Sequence, residues 1–313
     1  MGEMLALLSM VLFSANIILT KVAIARLDLN LGFLISVGVN VLFAFFLFFI
    51  QVLFFEAGDL AWHTKGFFLF LLAGLFGTYL GRWFFFETIA KLGPTRASAF
   101  QVTNPIFTTI IAWIFLNEQL SAGDLSSIVL ILFGLFLVSY IPQRSLKKEI
   151  TQRNKMLRFQ TFPDLSLKGL VQSGVLVALL SSFSYAIGNV IRGAAIINWD
   201  QPILGGALGA LLGFILHAAS SKNKRHFWRQ VKAADRSGVW MYVISGIITI
   251  SAQISVIASM RYIPISVANL ITLSTPILVT PVSYFLFKNQ EGITFKTLMG
   301  IAFVLSGLVI IVL

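Results

Sequence analysis

The sequence predicts an all-α integral membrane protein of ten transmembrane helices arranged as two inverted five-helix repeats. Three observations lead there: long continuous apolar runs, basic residues gathered in short connections, and an echo of the chain in itself at a shift of about 172 residues. The chain has 313 residues, 58% hydrophobic and 11% charged, with a mean hydropathy of +0.90. A soluble core of this size needs far less apolar sequence. The formal charge of +11 does not point to nucleic acid, because the Lys and Arg sit between apolar runs rather than on one folded polar face. Cysteine is absent, and His63, His217 and His226 lie far apart in sequence, so neither a disulfide framework nor a metal site is expected. No cofactor is expected either. The phosphate-binding loop GxxxxGK[ST] does not occur, which argues against pumping driven by ATP bound to this chain, and no nucleophile, base and orienting acid recur at a recognisable spacing.

A hydrocarbon core of about 30 Å is crossed by about 20 helical residues. The apolar stretches that meet this requirement are 4–25, 31–55, 66–90, 95–116, 125–141, 169–191, 201–220, 238–260, 265–287 and 295–313. The first begins at once after Met1-Gly2-Glu3, with no basic n-region and no small-residue cleavage site, and reads as a span rather than a removable signal. The fifth is the shortest, and the third and fourth meet at Lys91-Leu92-Gly93-Pro94. The apolar runs are continuous, whereas strands of a membrane barrel would alternate over about ten residues.

Of the 23 Lys and Arg residues, 19 fall in or beside the connections that follow the odd-numbered spans. The positive-inside rule then places both termini outside and the basic segments 142–168 and 221–237 in the cytoplasm, in a multi-pass protein of the cell membrane. Arg144-Ser145-Leu146-Lys147-Lys148 and Lys222-Asn223-Lys224-Arg225 are best suited to orienting the helices and touching anionic lipid.

The internal echo pairs Ala6-Leu7-Leu8-Ser9 with Ala178-Leu179-Leu180-Ser181, Gly74 with Gly246, Pro105-Ile106 with Pro276-Ile277, and Gly134-Leu135 with Gly307-Leu308. These anchors occur in order and carry span 1 onto 6, 3 onto 8, 4 onto 9 and 5 onto 10. The division is therefore 1–141 for the first repeat, 142–168 for a basic linker and 169–313 for the second repeat. An odd number of helices per repeat inverts the second half. The connection 56–65 has one basic residue and its equivalent 221–237 has six, as opposite orientations demand. Inverted repeats are the signature of secondary transporters, whose halves can open a midplane site to alternate sides.

Residues carry a further resemblance. Lys91-Leu92-Gly93-Pro94-Thr95 leading into the fourth span, Ala97 and Pro105 within it, and Asn117-Glu118-Gln119 at its end are echoed by Tyr262-Ile263-Pro264, Ala268, Pro276 and Asn289-Gln290. With the duplicated layout, this resembles the EamA-type members of the drug/metabolite transporter superfamily over nearly the whole chain. The resemblance implies a carrier of metabolites, with export or exchange slightly favoured. The second half has Asn289 where the first has Glu118, and the first span holds only Glu3, at its edge. The membrane-embedded glutamate of the small four-helix relatives therefore has no counterpart there.

Polar residues inside the spans nominate the site, since each costs free energy in lipid. Gln101, Asn104 and Thr108 share one face of the fourth span, and Asn269, Thr272 and Thr275 form the matching stripe of the ninth. The neighbouring spans add Asn16, Tyr185, Asn189 and Gln253. These stripes are read as a solute site between the halves, against a competing reading as interhelical hydrogen bonds of about 0.6 kcal/mol each. Arg82 either faces a watery cavity, where it would favour an anionic solute, or snorkels to an interface. Glu87 is the ion-coupling candidate and equally suits a pair with Lys91 four residues on. Lys21 and Arg192 read as interface anchors. Gly74, Gly77 and Gly81, and likewise Gly205, Gly209 and Gly213, read as close-contact ridges, and Pro105, Pro276 and Pro281 as kinks. The expected partners are a small-molecule substrate, the lipid bilayer and either a coupling ion or a counter-substrate; a monomer suffices. A channel and a structural or sensory membrane subunit are the alternatives to a metabolite, amino-acid or drug carrier.

Overall fold

Lipid offers no hydrogen bonds to the backbone, so a chain this apolar satisfies its N–H and C=O groups within helices. The structure, a computed structural model, describes residues 1–54, 62–92, 100–139, 174–220, 227–286 and 295–312. Among them there are helices and turns and no strand. The first two helices are α1 (Gly2–Ile24) and α2 (Leu29–Phe54). The third span is continuous but not uniform: α3 (Thr64–Ala73) passes into a π-helical segment, Gly74–Gly81, and then into α4 (Arg82–Leu92). A 3₁₀ turn, Gln101–Thr103, precedes α5 (Asn104–Leu116), followed by α6 (Ala122–Ser139). The second half contains α7 (Val175–Asn198), α8 (Pro202–Ser220), a short α9 (Phe227–Ala233), α10 (Arg236–Ser259), α11 (Ile265–Leu273), α12 (Pro276–Leu286) and α13 (Phe295–Val312). Among the described residues, six helices are long and apolar enough to cross a membrane, and four more apolar helices are shorter.

Local chemistry sets many of these ends. His63 Nδ1 accepts from the Gly66 N–H at 3.0 Å and caps α3, while Asp235 accepts from Ser237 N–H ahead of α10. Before α6, Ser121 and Asp124 cap each other reciprocally: Asp124 Oδ2 accepts from Ser121 N–H at 2.9 Å and Ser121 Oγ from Asp124 N–H at 3.0 Å. Asn117 adopts the left-handed conformation, φ 49°, that closes α5.

Three expectations from the sequence need correction. The sixth span does not end near residue 191; α7 continues to Asn198, because Arg192 is 7% exposed and buried in the interior instead of anchored at an interface. The ninth is two helices, interrupted at Ser274-Thr275 where Pro276 lacks an N–H to continue the ladder. Pro105 likewise stands at the start of a helix, α5, so two of the three prolines mark breaks; only Pro281 lies inside one. The linker 142–168, the Lys222-Asn223-Lys224-Arg225 segment, Gly93-Pro94-Thr95, Ala97 and Asn289-Gln290 lie outside the described residues.

Packing follows a regular pattern. α1 lies against α10, and the third span against α7; α2 packs on α8, α5 on α11 and α6 on α13. Close approach depends on glycine. A Cβ on Gly74 would fall 2.6 Å from the Gly209 carbonyl oxygen, and one on Gly134 would fall 2.6 Å from that of Gly300. The two glycine ridges therefore meet at Gly74 and Gly209, while Gly77 and Gly81 face Arg192 and Tyr185 of α7, and Gly205 and Gly213 of α8 face Phe70 and Thr78. Outside, Phe46, Phe49, Trp113, Phe115 and Trp240 are exposed, and inside, Asn40, Asn104, Thr108, Asn269 and Arg192 are buried. This inversion of the water-soluble pattern suits lipid as solvent.

Candidate functional site

Four helices converge on a knot of side-chain amides and a guanidinium. Asn269 on α11 is its hub: its Nδ2 donates to Asn104 Oδ1 at 3.0 Å and to Thr108 Oγ1 at 2.9 Å, both on α5. Its Oδ1 accepts from Asn189 Nδ2 of α7 at 2.7 Å. Thr108 Oγ1 also donates to Asn104 Oδ1 at 3.1 Å. Asn189 Oδ1 in turn accepts from Arg192 Nη1 at 2.9 Å, one helical turn along the same face. With the Gln253 amide oriented to satisfy its neighbours, its Oε1 accepts from Arg192 Nη2 at 2.6 Å and Nη1 at 3.2 Å, which brings in α10. Asn104, Asn269 and Thr108 are at most 3% exposed, so each hydrogen bond replaces one that water would otherwise make.

A second, basic and aromatic cluster adjoins the knot around the π segment. Arg192 lies over Gly77, where a Cβ would fall 2.5 Å from Nη2 and 3.1 Å from Cζ. Arg82, the first residue past that segment, stands near Tyr185, and the charges of Arg82 and Arg192 are close enough to act on each other. The Arg82 guanidinium also stands over the Phe33 ring, 5.1 Å from its centroid. His217 Nε2 is 3.1 Å from the Thr78 carbonyl oxygen, and its ring meets Phe33 and Tyr79 edge-on. Among the described residues no Asp or Glu pairs with either guanidinium. π segments are rare and often found at functional sites; this one turns Gly77, Gly81 and Arg82 toward α7, since a Cβ on Gly81 would fall 2.9 Å from the Tyr185 ring.

The remaining nominated residues are placed differently. Gln101 Nε2 donates to Ser181 Oγ at 3.0 Å, and Ser181 Oγ to the Gly81 carbonyl, tying the 3₁₀ turn to α7 and the π segment. Asn16 accepts from Ser245 Oγ at 2.6 Å and serves the α1–α10 contact rather than the knot. Thr272 and Thr275 are buried, and the Thr272 hydroxyl has no hydrogen-bond partner. Glu87 is exposed, on α4; the side chain of Lys91, its proposed partner, lies outside what is described. The sequence reading missed Arg192 and His217 as interior groups. A signal for Arg192 was present, because Tyr185, Asn189 and Arg192 repeat at four and three and share one helical face.

Toward one end, Glu118 bridges the halves. Its carboxylate accepts from the Ser266 N–H, with both oxygens 3.3 Å away, and from the Ser266 hydroxyl, so it sits on the N-terminus of α11. A cleft of about 510 Å³ opens between the start of α1, the end of α7, the start of α8 and the end of α10, lined by Met1, Gln51, Trp199, Gln201 and the ion-paired Asp200 and Arg261. None of the amide knot lines it.

No curated protein matches this chain. A solved structure, a crystal structure of a protein 12% identical, superposes with a TM-score of 0.70 over 99% of this chain and 96% of that one, which establishes a shared fold. A family model described as the EamA-like transporter family matches residues 1–140 and again 172–313. With lipid-facing apolar helices around a buried polar centre, a match spanning nearly the whole sequence means that this chain is a member of the EamA-like transporter family.

Proposed function

We propose that the protein is a ten-span secondary carrier, built as two inverted five-helix repeats, that moves a small solute by alternating access, as exporter or exchanger. The observation that carries this reading is the knot of Asn104, Thr108, Asn189 and Asn269, which joins α5 to its repeat-equivalent α11 in the buried centre. An amide presents both a donor and an acceptor, so it exchanges an internal hydrogen bond for one to a solute at small net cost. Helices broken beside such groups, here at Asn104-Pro105 and Ser274-Thr275, are a recurring feature of carrier sites.

Packing supports the inverted arrangement. If span 1 exchanges with 6 and span 3 with 8, the contact of α1 with α10 becomes that of α7 with the third span, while α2–α8, α5–α11 and α6–α13 map onto themselves. This is the pattern that a two-fold axis relating the halves requires, and an odd number of spans in each half puts that axis in the membrane plane. Two halves related this way can rock about the knot, with Glu118 and Ser266 making and breaking on one side. On this reading the termini face outward and the basic segments face the cytoplasm.

Counterflow in proteoliposomes is the test, with solutes drawn from amino acids, nucleosides, organic anions and organic cations. Saturable counterflow of one class, lost in Asn104→Ala while expression and insertion stay at the wild-type level, supports the reading. Counterflow unchanged in Asn104→Ala removes the knot from the solute path.

A further inference from the structure

Two guanidinia, Arg192 buried and Arg82 half-buried, stand beside the amide knot, and among the described residues no carboxylate pairs with either. Burying the Arg192 charge in a low-dielectric interior is costly, and a second charge of like sign beside it adds to the cost, unless an anion accompanies them. Arg192 is held rigidly. Asn189 Oδ1 takes Nη1, and Gln253 Oε1 takes the end formed by Nη1 and Nη2. A guanidinium has five N–H donors, and these contacts account for three. The two that remain belong to Nε and the inner N–H of Nη2, the parallel pair that grips a carboxylate or phosphate in bidentate fashion. Gly77 lets this fork lie flat against the π segment, because a Cβ there would collide with Nη2 and Cζ. Arg82 supplies the second charge from the neighbouring turn, near Tyr185 and steadied over the Phe33 ring.

We propose that Arg82 and Arg192 form an anion subsite that selects, as the carrier's substrate, a small organic dianion bearing a carboxylate or phosphate group, with the Asn104–Asn269 knot holding its neutral part. This rests on the carrier reading for the word substrate, but the binding site itself does not. Charge match favours the dianion over a monoanion, and a cation is repelled by both groups. The Arg192 fork grips one anionic group and Arg82 neutralises the other.

Purified wild-type protein is titrated with succinate, glycerol phosphate, glucose and choline, by thermal shift and equilibrium binding, and each probe is then tried in counterflow. The expected result is saturable binding of succinate or glycerol phosphate and none of choline. The tighter of the two distinguishes a carboxylate from a phosphate ligand. Arg192→Gln and Arg82→Gln each weaken anion binding at least tenfold, and Gly77→Ala weakens it with both charges kept. Binding of glucose or choline with neither anion bound overturns the proposal. So does failure of both anions to bind, or an anion affinity unchanged in Arg192→Gln. The wild-type panel decides between anion and cation even where a variant fails to fold. Anion binding without counterflow of any probe upholds the subsite and sinks the carrier reading instead.

Discussion

Asn269 makes three interhelical hydrogen bonds with residues of α5 and α7. At about 0.6 kcal/mol for each such bond in a membrane, Asn269→Ala should cost about 2 kcal/mol. Reversible unfolding in mixed detergent micelles measures this, and a loss below about 0.5 kcal/mol would show that the amides are not coupled. Thr272, one turn along the same helix, sets the opposite expectation. Its hydroxyl is buried without a hydrogen-bond partner, and leaving such a group unpaired costs about 1–3 kcal/mol. Thr272→Val, nearly the same shape, should therefore raise the melting temperature. If the hydroxyl meets the solute, the same change raises the KM for transport; a variant that is both more stable and fully active would place Thr272 outside the solute path. The sequence singled out both residues through their spacing, since helical period decides which side chains share a face. It did not reveal which of them pair and which stand alone, because that depends on the neighbouring helix.

At the scale of elements, the π segment and α8 make the sharpest prediction. Gly74→Ala drives its Cβ to 2.6 Å from the Gly209 carbonyl oxygen and 2.7 Å from the Gly209 Cα, backbone atoms that cannot step aside. Gly209→Ala places its Cβ 3.6 Å from the Gly74 Cα, an ordinary contact. The first change should destabilise by about 1–3 kcal/mol and the second by much less, although the two glycines touch each other. Equal melting temperatures for the two variants would overturn the packing described. Glu118 acts on another element: its carboxylate occupies the N-terminus of α11. Glu118→Gln should weaken that tie by up to about 2 kcal/mol, read as a lower melting temperature, and no loss would take the carboxylate off the α11 N-terminus. The helices themselves were legible from apolar run length. Their interruptions were less so. Pro105 and Pro276 were seen as interior kinks, yet each begins a helix, and the π segment left no mark beyond its glycines. Backbone hydrogen-bond slippage of that kind is stabilised by packing against α7 and α8, which local sequence does not encode.

For the whole molecule, the absence of cysteine makes topology directly measurable. Single cysteines at Glu3 and at Arg229 should label differently with a membrane-impermeant maleimide on intact cells, the first at once and the second only after permeabilisation. The reverse pattern would invert the orientation assigned to the halves. Sequence by itself determined that this chain lives in lipid and where its apolar spans lie, though not where the sixth ends or that the ninth is two helices, because the bilayer imposes one length and one polarity on every span. Tertiary structure alone decided that Asn269 is the hub of the knot, that Arg192 is an interior group beside Arg82, and that Gly77 lies under its guanidinium. Those facts join residues that lie from 80 to 165 positions apart, and only helix packing, set by small residues and side-chain hydrogen bonds across the whole fold, brings them within reach.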